Sequence, residues 1–241
     1  MNSDQSKPLH FEYRFEFENG TSKQFPVDLD GQTLNYINNS PARPEWTELH
    51  FQQCENCPLG HDVRHCPVAV NLAPLVEEFK DSVSFEKATV TVKAPDRTYV
   101  KETTLQKALS SLVGMLMVTS DCPIMVKLRP MARFHLPFAT TFETMYRAIS
   151  MYLTAQQLVR RKGKDPDWDL KGLVKIYKDI STVNKGISRR LSAASTKDAN
   201  VNAVVILHSL GDAVPFFIES GLDELEPYFH EYVQVEGQPA K

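Results

Sequence analysis

Four cysteines offer the most distinctive chemistry in this sequence. They are spaced Cys54-x2-Cys57-x8-Cys66-x55-Cys122, and Cys57, Cys66 and Cys122 are each followed directly by proline. A Cys-x-x-Cys turn sets two sulfurs on one side of a tight loop, within reach of a single metal ion. Four thiolates would complete a tetrahedral zinc site and leave no open position for substrate. The spacing matches neither the doubled Cys-x-x-Cys of a zinc ribbon nor a ferredoxin run. Zinc is therefore the first expectation and an iron–sulfur cluster the alternative. His61 or His65 can stand in for a sulfur, because imidazole is also a zinc ligand. The competing reading is four buried, unligated thiols, or a Cys54–Cys57 dithiol. A thioredoxin-type site is disfavoured because no βαβ pattern precedes the pair.

A second constellation lies in residues 128–139, where Arg129, Arg133 and His135 stand among Pro130, Phe134, Pro137 and Phe138. Two guanidiniums and an imidazole on a proline-stiffened segment can clamp a phosphate or carboxylate. The plainer reading has the arginines satisfying backbone carbonyls and acidic side chains while the aromatics pack on the core. Residues 203–212 superficially resemble the strand and nucleophile elbow of an α/β-hydrolase around Ser209. Leu207 stands where that turn requires glycine, so a helix is the better reading, with Asp198 as its N-cap. The cations Arg160, Arg161, Lys162, Lys164, Arg189 and Arg190 are interspersed with Asp165, Asp167 and Asp169 and read as solvated helix surface.

The elements that must position these residues follow from periodicity. Phe11, Tyr13, Phe15 and Phe17 alternate with charged residues as in a half-buried strand, and Asn19-Gly20 signals a two-residue hairpin turn. Residues 21–29 return as its partner, and residues 46–51 read as a short strand leading into the cysteines. A short helix is expected over 71–79, then a second hairpin over 87–94 and 98–103. Leu105, Leu109, Leu112, Val113 and Leu116 recur at helical spacing, and Thr103 with Gln106 fits a capping box. So does Thr140 with Glu143, ahead of a helix that ends at Arg160-Arg161-Lys162. Further helices are expected over about 170–191 and 201–218.

The chain of 241 residues is 42% hydrophobic and 24% charged, with a formal net charge of −3. Such a balance gives no global electrostatic reason to bind nucleic acid or an anionic membrane. No uninterrupted apolar run reaches the ~18 residues needed to span a bilayer. The polar first residues carry no signal-peptide pattern, so a cytoplasmic, reducing location is expected.

The stretches beginning at Cys54 (CENCPL), Cys66 (CPVAVNLAPLVE) and Leu128 (LRPMARFHLPFA) resemble a bacterial family catalogued as a domain of unknown function. The resemblance extends from the first hairpin to the last helix. It implies a bacterial origin and treats the four cysteines as a set, but implies no activity.

The expected architecture is α+β: a flexible segment over 1–9, then one domain over 10–235. Within it, a hairpin-rich half (10–103) and a helical half (104–235) are joined by a four-cysteine metal site. The expected role is a regulatory or interaction module holding structural zinc. The alternative is an iron–sulfur redox protein or enzyme using Arg129, Arg133 and His135 as an anion-binding loop. The expected partner is another protein or a small anionic ligand.

Overall fold

The computed structural model describes residues 7–233. Strand β1 (Leu9–Phe17) buries Leu9, Phe11, Tyr13, Phe15 and Phe17 on one face, as its alternation predicts. Strand β2 (Ser22–Leu29) pairs back antiparallel, with Leu9 opposite Leu29 and Glu16 opposite Ser22. The turn between them is not the two-residue form. Only Gly20 has positive φ, at 81°, and its N–H donates to the Phe17 carbonyl at 3.0 Å, which closes a three-residue loop. Asn19 stays out of the left-handed region and accepts hydrogen bonds from the Thr21 N–H and hydroxyl.

Helix α1 (Pro67–Phe79) follows, then strands β3 (Lys87–Lys93) and β4 (Thr98–Thr104). The sheet runs β2-β1-β3-β4 with every neighbour antiparallel. Helices α2 (Leu105–Val118), α3 (Pro130–Arg133), α4 (Thr141–Arg161), α5 (Lys171–Ala194), α6 (Ala199–Ser220) and α7 (His230–Val233) complete the described residues. This is the expected α+β arrangement. A single core extends from the inner face of the sheet through α1 and α2 to α5 and α6. Leu105, Leu109, Leu112, Val113 and Leu116 are all buried, as are Ala108, Met115 and Met117, so α2 is apolar nearly all round, as befits a central helix.

Several boundaries differ from expectation for physical reasons. Helix α1 begins at Pro67, because proline fits the first helical position, where its missing N–H costs nothing. Pro74 inside that helix leaves the Val70 carbonyl without its helical donor, and the Asn38 amide takes it at 2.9 Å. Residues 46–51 do not form a strand: a 3-10 turn, Glu45–Thr47, leads into further turns, with one isolated bridge between Glu48 and His65. Helix α2 has no capping box. Thr104 is its N-cap without a side-chain bond, and the Gln106 N–H donates to the Ser84 carbonyl. The Thr140–Glu143 box on α4 is present in full. Asp198 stands at the N-cap position of α6, but its carboxylate accepts from the Ser84 N–H and hydroxyl instead of capping that helix.

The helical reading of residues 203–212 holds, with the Ser209 hydroxyl donating to the Val205 carbonyl of α6. By length and composition alone, α6 is apolar enough to cross a bilayer; it packs against α2 and α5. Of the expected flexible segment, residues 1–6 lie outside the described residues, as do residues 234 and 235 of the expected domain. Leu9 is already paired in β1.

The metal clasp between the halves is not found. Among the described residues, no group of three or more His, Cys, Asp or Glu side chains is placed to hold a metal ion. The halves are joined by shared apolar packing instead.

Candidate functional site

The cysteines occupy separate local settings. The Cys54 loop lies against α5 at Gly186, where a β-carbon would come 2.6 Å from the sulfur and 3.4 Å from the Cys54 Cα. The Cys54 thiol points to the Val183 carbonyl at 3.9 Å. Cys66 is the N-cap residue of α1, and the N–H groups of Ala69 and Val68 are turned toward its sulfur without closing a cap bond. Cys122 lies similarly near the N–H groups of Met125 and Ile124. All four thiols are free. Burial pushes the Cys54 thiol up to about 12, with smaller contributions from Cys66 and Cys57; burial also raises Cys66 and Cys122. The histidines considered as substitutes are engaged elsewhere: His65 Nδ1 lies 3.0 Å from the Thr47 hydroxyl, and the His61 ring packs at a tilt against His50. Among the described residues neither zinc nor an iron–sulfur cluster has a ligand set, so the expected metal site is corrected.

The neighbouring cation is Arg190, read from the sequence as helix surface but only 1% exposed. Its guanidinium donates to the carbonyls of Trp46 (2.8 Å), Glu48 (2.6 Å) and Leu49 (2.6 Å). Those bonds take up carbonyls that a strand over 46–51 would have given to a neighbour. They account for the irregular backbone there.

Of the residues 128–139, Arg129 is structural. It donates to the carbonyls of Val118, Thr33 and Ser120 and to the Asp121 carboxylate. Arg133 ends the short helix α3 and does not line the cavity described next. His135 does line it. The expected three-residue clamp is therefore not assembled; one of its members faces a site built by other residues.

That site is a cavity of about 570 Å³ among α2, the segment 125–140, the start of α4, and the inner faces of α5 and α6. Met115, Met117, Met125, Met131, Leu207 and Leu210 give it an apolar body. Among the described residues its charged lining groups are Lys101, Lys107 and Arg147, and no carboxylate lines it. Lys101 and Lys107 are exposed, on β4 and α2. Arg147 projects from α4, whose start is fixed by the Thr140–Glu143 box. One guanidinium nitrogen, Nη2, donates to the carbonyls of Phe134 (2.8 Å) and Met131 (3.2 Å). Arg147 has no salt bridge among the described residues, so the rest of its donor fork is uncommitted.

Around this cation the polar groups are held neutral. The Tyr13 hydroxyl, on the central strand β1, lies 2.6 Å from Nε2 of His135, and the Ser111 hydroxyl is 3.5 Å from the same nitrogen. Burial and then the charge of Arg147 push the imidazole down to about 3, so His135 is uncharged at neutral pH. Burial raises the Tyr13 and Tyr177 phenols, and they keep their protons.

The sequence reading missed Arg147, Tyr177 and Asn184. Asn184 did leave a signal: Leu173, Tyr177, Ile180, Ile187 and Leu191 form the buried stripe of α5, and an asparagine interrupts it.

An antiparallel sheet carrying a helical layer, with an apolar cavity rimmed by cations, defines an α+β protein with a cavity among its helices. The family described as Domain of unknown function (DUF6901) matches residues 11–230, and the chain belongs to that family. No curated protein and no solved structure matches it.

Proposed function

We propose that this protein binds an amphipathic organic acid, with the apolar body in the cavity and the anionic group at Arg147, Lys101 and Lys107. The observation that carries this reading is an apolar cavity whose only charged lining groups, among the described residues, are three cations. At about 570 Å³ it falls within the size range of small-molecule sites, and its few polar groups are of the kind that orient a bound molecule. An anion supplies the acceptor that the free part of the Arg147 fork lacks. A charge-assisted hydrogen bond of this type contributes ~1.5–3 kcal/mol, equivalent to roughly 10- to 100-fold in affinity.

The site favours holding a ligand over transforming one. A general base works best with a pKa near the working pH, and an imidazole held near 3 accepts protons poorly. Ser111 does not form an activated pair with it, since 3.5 Å is long and Tyr13 already occupies Nε2.

The test is displacement of a fluorescent apolar probe, anilinonaphthalene sulfonate, by dodecanoate and by its neutral methyl ester. Dodecanoate should displace the probe at a concentration at least about tenfold lower, and Arg147→Met should remove most of that difference. Equal displacement by acid and ester, or by neither, would overturn the proposal.

A further inference from the structure

We infer that the ligand carries a hydroxyl group on its apolar body and that Asn184 reads it. This rests on the amphipathic-acid reading and adds a second recognition point to the same cavity. Asn184 is 2% exposed and lines the cavity, yet its Oδ1 has no hydrogen-bond partner. A leucine of similar size would fit the buried stripe of α5 without leaving an amide oxygen unpaired, so packing alone does not account for the asparagine.

Gly211 and the Tyr177 ring border the same place. Gly211 of α6 faces Asn184, and a β-carbon there would stand 3.9 Å from both Asn184 Nδ2 and Tyr177 Cδ1. The glycine thus leaves a hollow bounded by both side chains. Four residues later, Pro215 lies inside α6 and has no N–H to donate to the Gly211 carbonyl, which leaves that oxygen without its helical partner. The Tyr177 hydroxyl makes no hydrogen bond among the described residues, and Tyr177 lines the cavity as well.

The chemistry of these groups selects the ligand's group. A carbonyl accepts only, whereas an amide and a phenol both donate and accept. A hydroxyl in the hollow can accept from Nδ2, or donate to the amide oxygen when the Asn184 amide is turned about. A methylene can do neither. The position follows from the helix. Tyr177 lies within the field of Arg147, and Asn184 is two turns further along the same face of α5, ~10 Å away along the axis. The hydroxyl therefore sits well along the apolar body from the acid. Asn184 also borders a shallower cavity of about 450 Å³ with Lys185, Arg189 and His208, but its Nδ2 is on the Gly211 side.

The experiment compares dodecanoate with its mid-chain and terminal monohydroxy derivatives in the same displacement assay. The wild-type protein should prefer at least one hydroxylated acid by about tenfold, because a site built around hydrogen-bonding groups rejects an analogue that leaves them unpaired. Asn184→Leu should abolish that preference while binding dodecanoate at least as tightly as wild type. Gly211→Ala, which fills the hollow without a close contact, should lower affinity for the preferred hydroxylated acid toward that for dodecanoate. Arg147-dependent binding of all the acids with equal affinity would mean that solvent fills the hollow, overturning this inference and leaving the acid-binding proposal intact. Persistence of the preference in Asn184→Leu would also overturn it. Failure of every acid to bind would remove both.

Discussion

Two arginines that donate to backbone carbonyls mark two regions of this molecule, one sealed and one open to a cavity. Arg190, beside the cysteine-bearing turns, donates from Nη1 and Nη2 to three carbonyls of residues 46–49 and is sealed from solvent, with its Nε buried and unpaired. Arg147, in the cavity wall, commits a single nitrogen to two carbonyls and keeps the rest of its fork free. Arg190 is buried and Arg147 half-buried, and neither has a carboxylate within salt-bridge distance among the described residues. What separates them is therefore access: the unpaired donor of Arg190 is sealed inside protein, whereas Arg147 lines a cavity that another molecule can enter. By that measure the cysteine region, chemically the most suggestive part of the sequence, is scaffold, and an inconspicuous helical arginine marks the site.

The largest test of this contrast is Arg190→Met. It should destabilise the protein by roughly 3 kcal/mol or more in urea denaturation, because three buried carbonyls lose their donor together. A loss below about 1 kcal/mol would erase the distinction between the two arginines. The second test uses pH. His135 titrates near 3 when folded and near 6.5 when unfolded, so between these values the unfolded chain binds the extra proton. Stability should fall as pH drops below about 6.5, by up to about 1.4 kcal/mol for each pH unit. His135→Gln should flatten that slope between about pH 6.5 and 4.5, above the range where carboxylates such as Asp30 and Asp198, lowered by their hydrogen bonds, add their own losses. An unchanged slope would show that the imidazole charges freely.

Arg147→Met should cost under about 2 kcal/mol of stability, since only two carbonyls lose a donor, while weakening acid binding by roughly 10- to 100-fold. A fold loss matching that of Arg190→Met would make both arginines structural. The finest comparison uses two helical glycines. Gly186→Ala drives a β-carbon into Cys54 and should destabilise by about 1–2 kcal/mol, the close contact outweighing the better helix propensity. Gly211→Ala meets only ordinary contacts and should stabilise by about 0.5–1 kcal/mol, read as a rise in denaturation midpoint. Opposite signs at two glycines would show one region packed shut and the other held open.

Much of the fold was legible because it is written in local period. The alternation of Phe11, Tyr13, Phe15 and Phe17 gave β1, and the Thr140–Glu143 pair gave the start of α4. The errors fell where distant groups settle a local choice. Residues 46–51 are irregular because Arg190, over 140 residues away in sequence, claims their carbonyls. Of the candidate site, only His135 was legible. Arg129 looked equivalent, yet Val118, Ser120 and Thr33 consume its donors. Arg147 and Asn184 acquire meaning only when α4, α5 and α6 meet, and no spacing within one segment announces that. The cysteines misled because Cys-x-x-Cys states how near two sulfurs begin, not whether the remaining ligands turn toward them.

The place of α2 in the core has a consequence for how the chain emerges. Its Gly114 is met by Leu207 of α6, close enough that a β-carbon would stand 3.2 Å from that side chain. Helix α2 ends at Val118 and α6 starts at Ala199, so about 80 residues of synthesis separate the two surfaces. At ~5–20 residues per second, the α6-facing side of α2 stays uncovered for roughly 4–16 s, while α1 and the sheet can already pack on its other sides. The sheet can close during that interval, because β4 ends at Thr104 and all four strands are then available. Birth order thus makes the sheet the platform and α6 the late closure, with the aggregation hazard concentrated on the one helix that must wait.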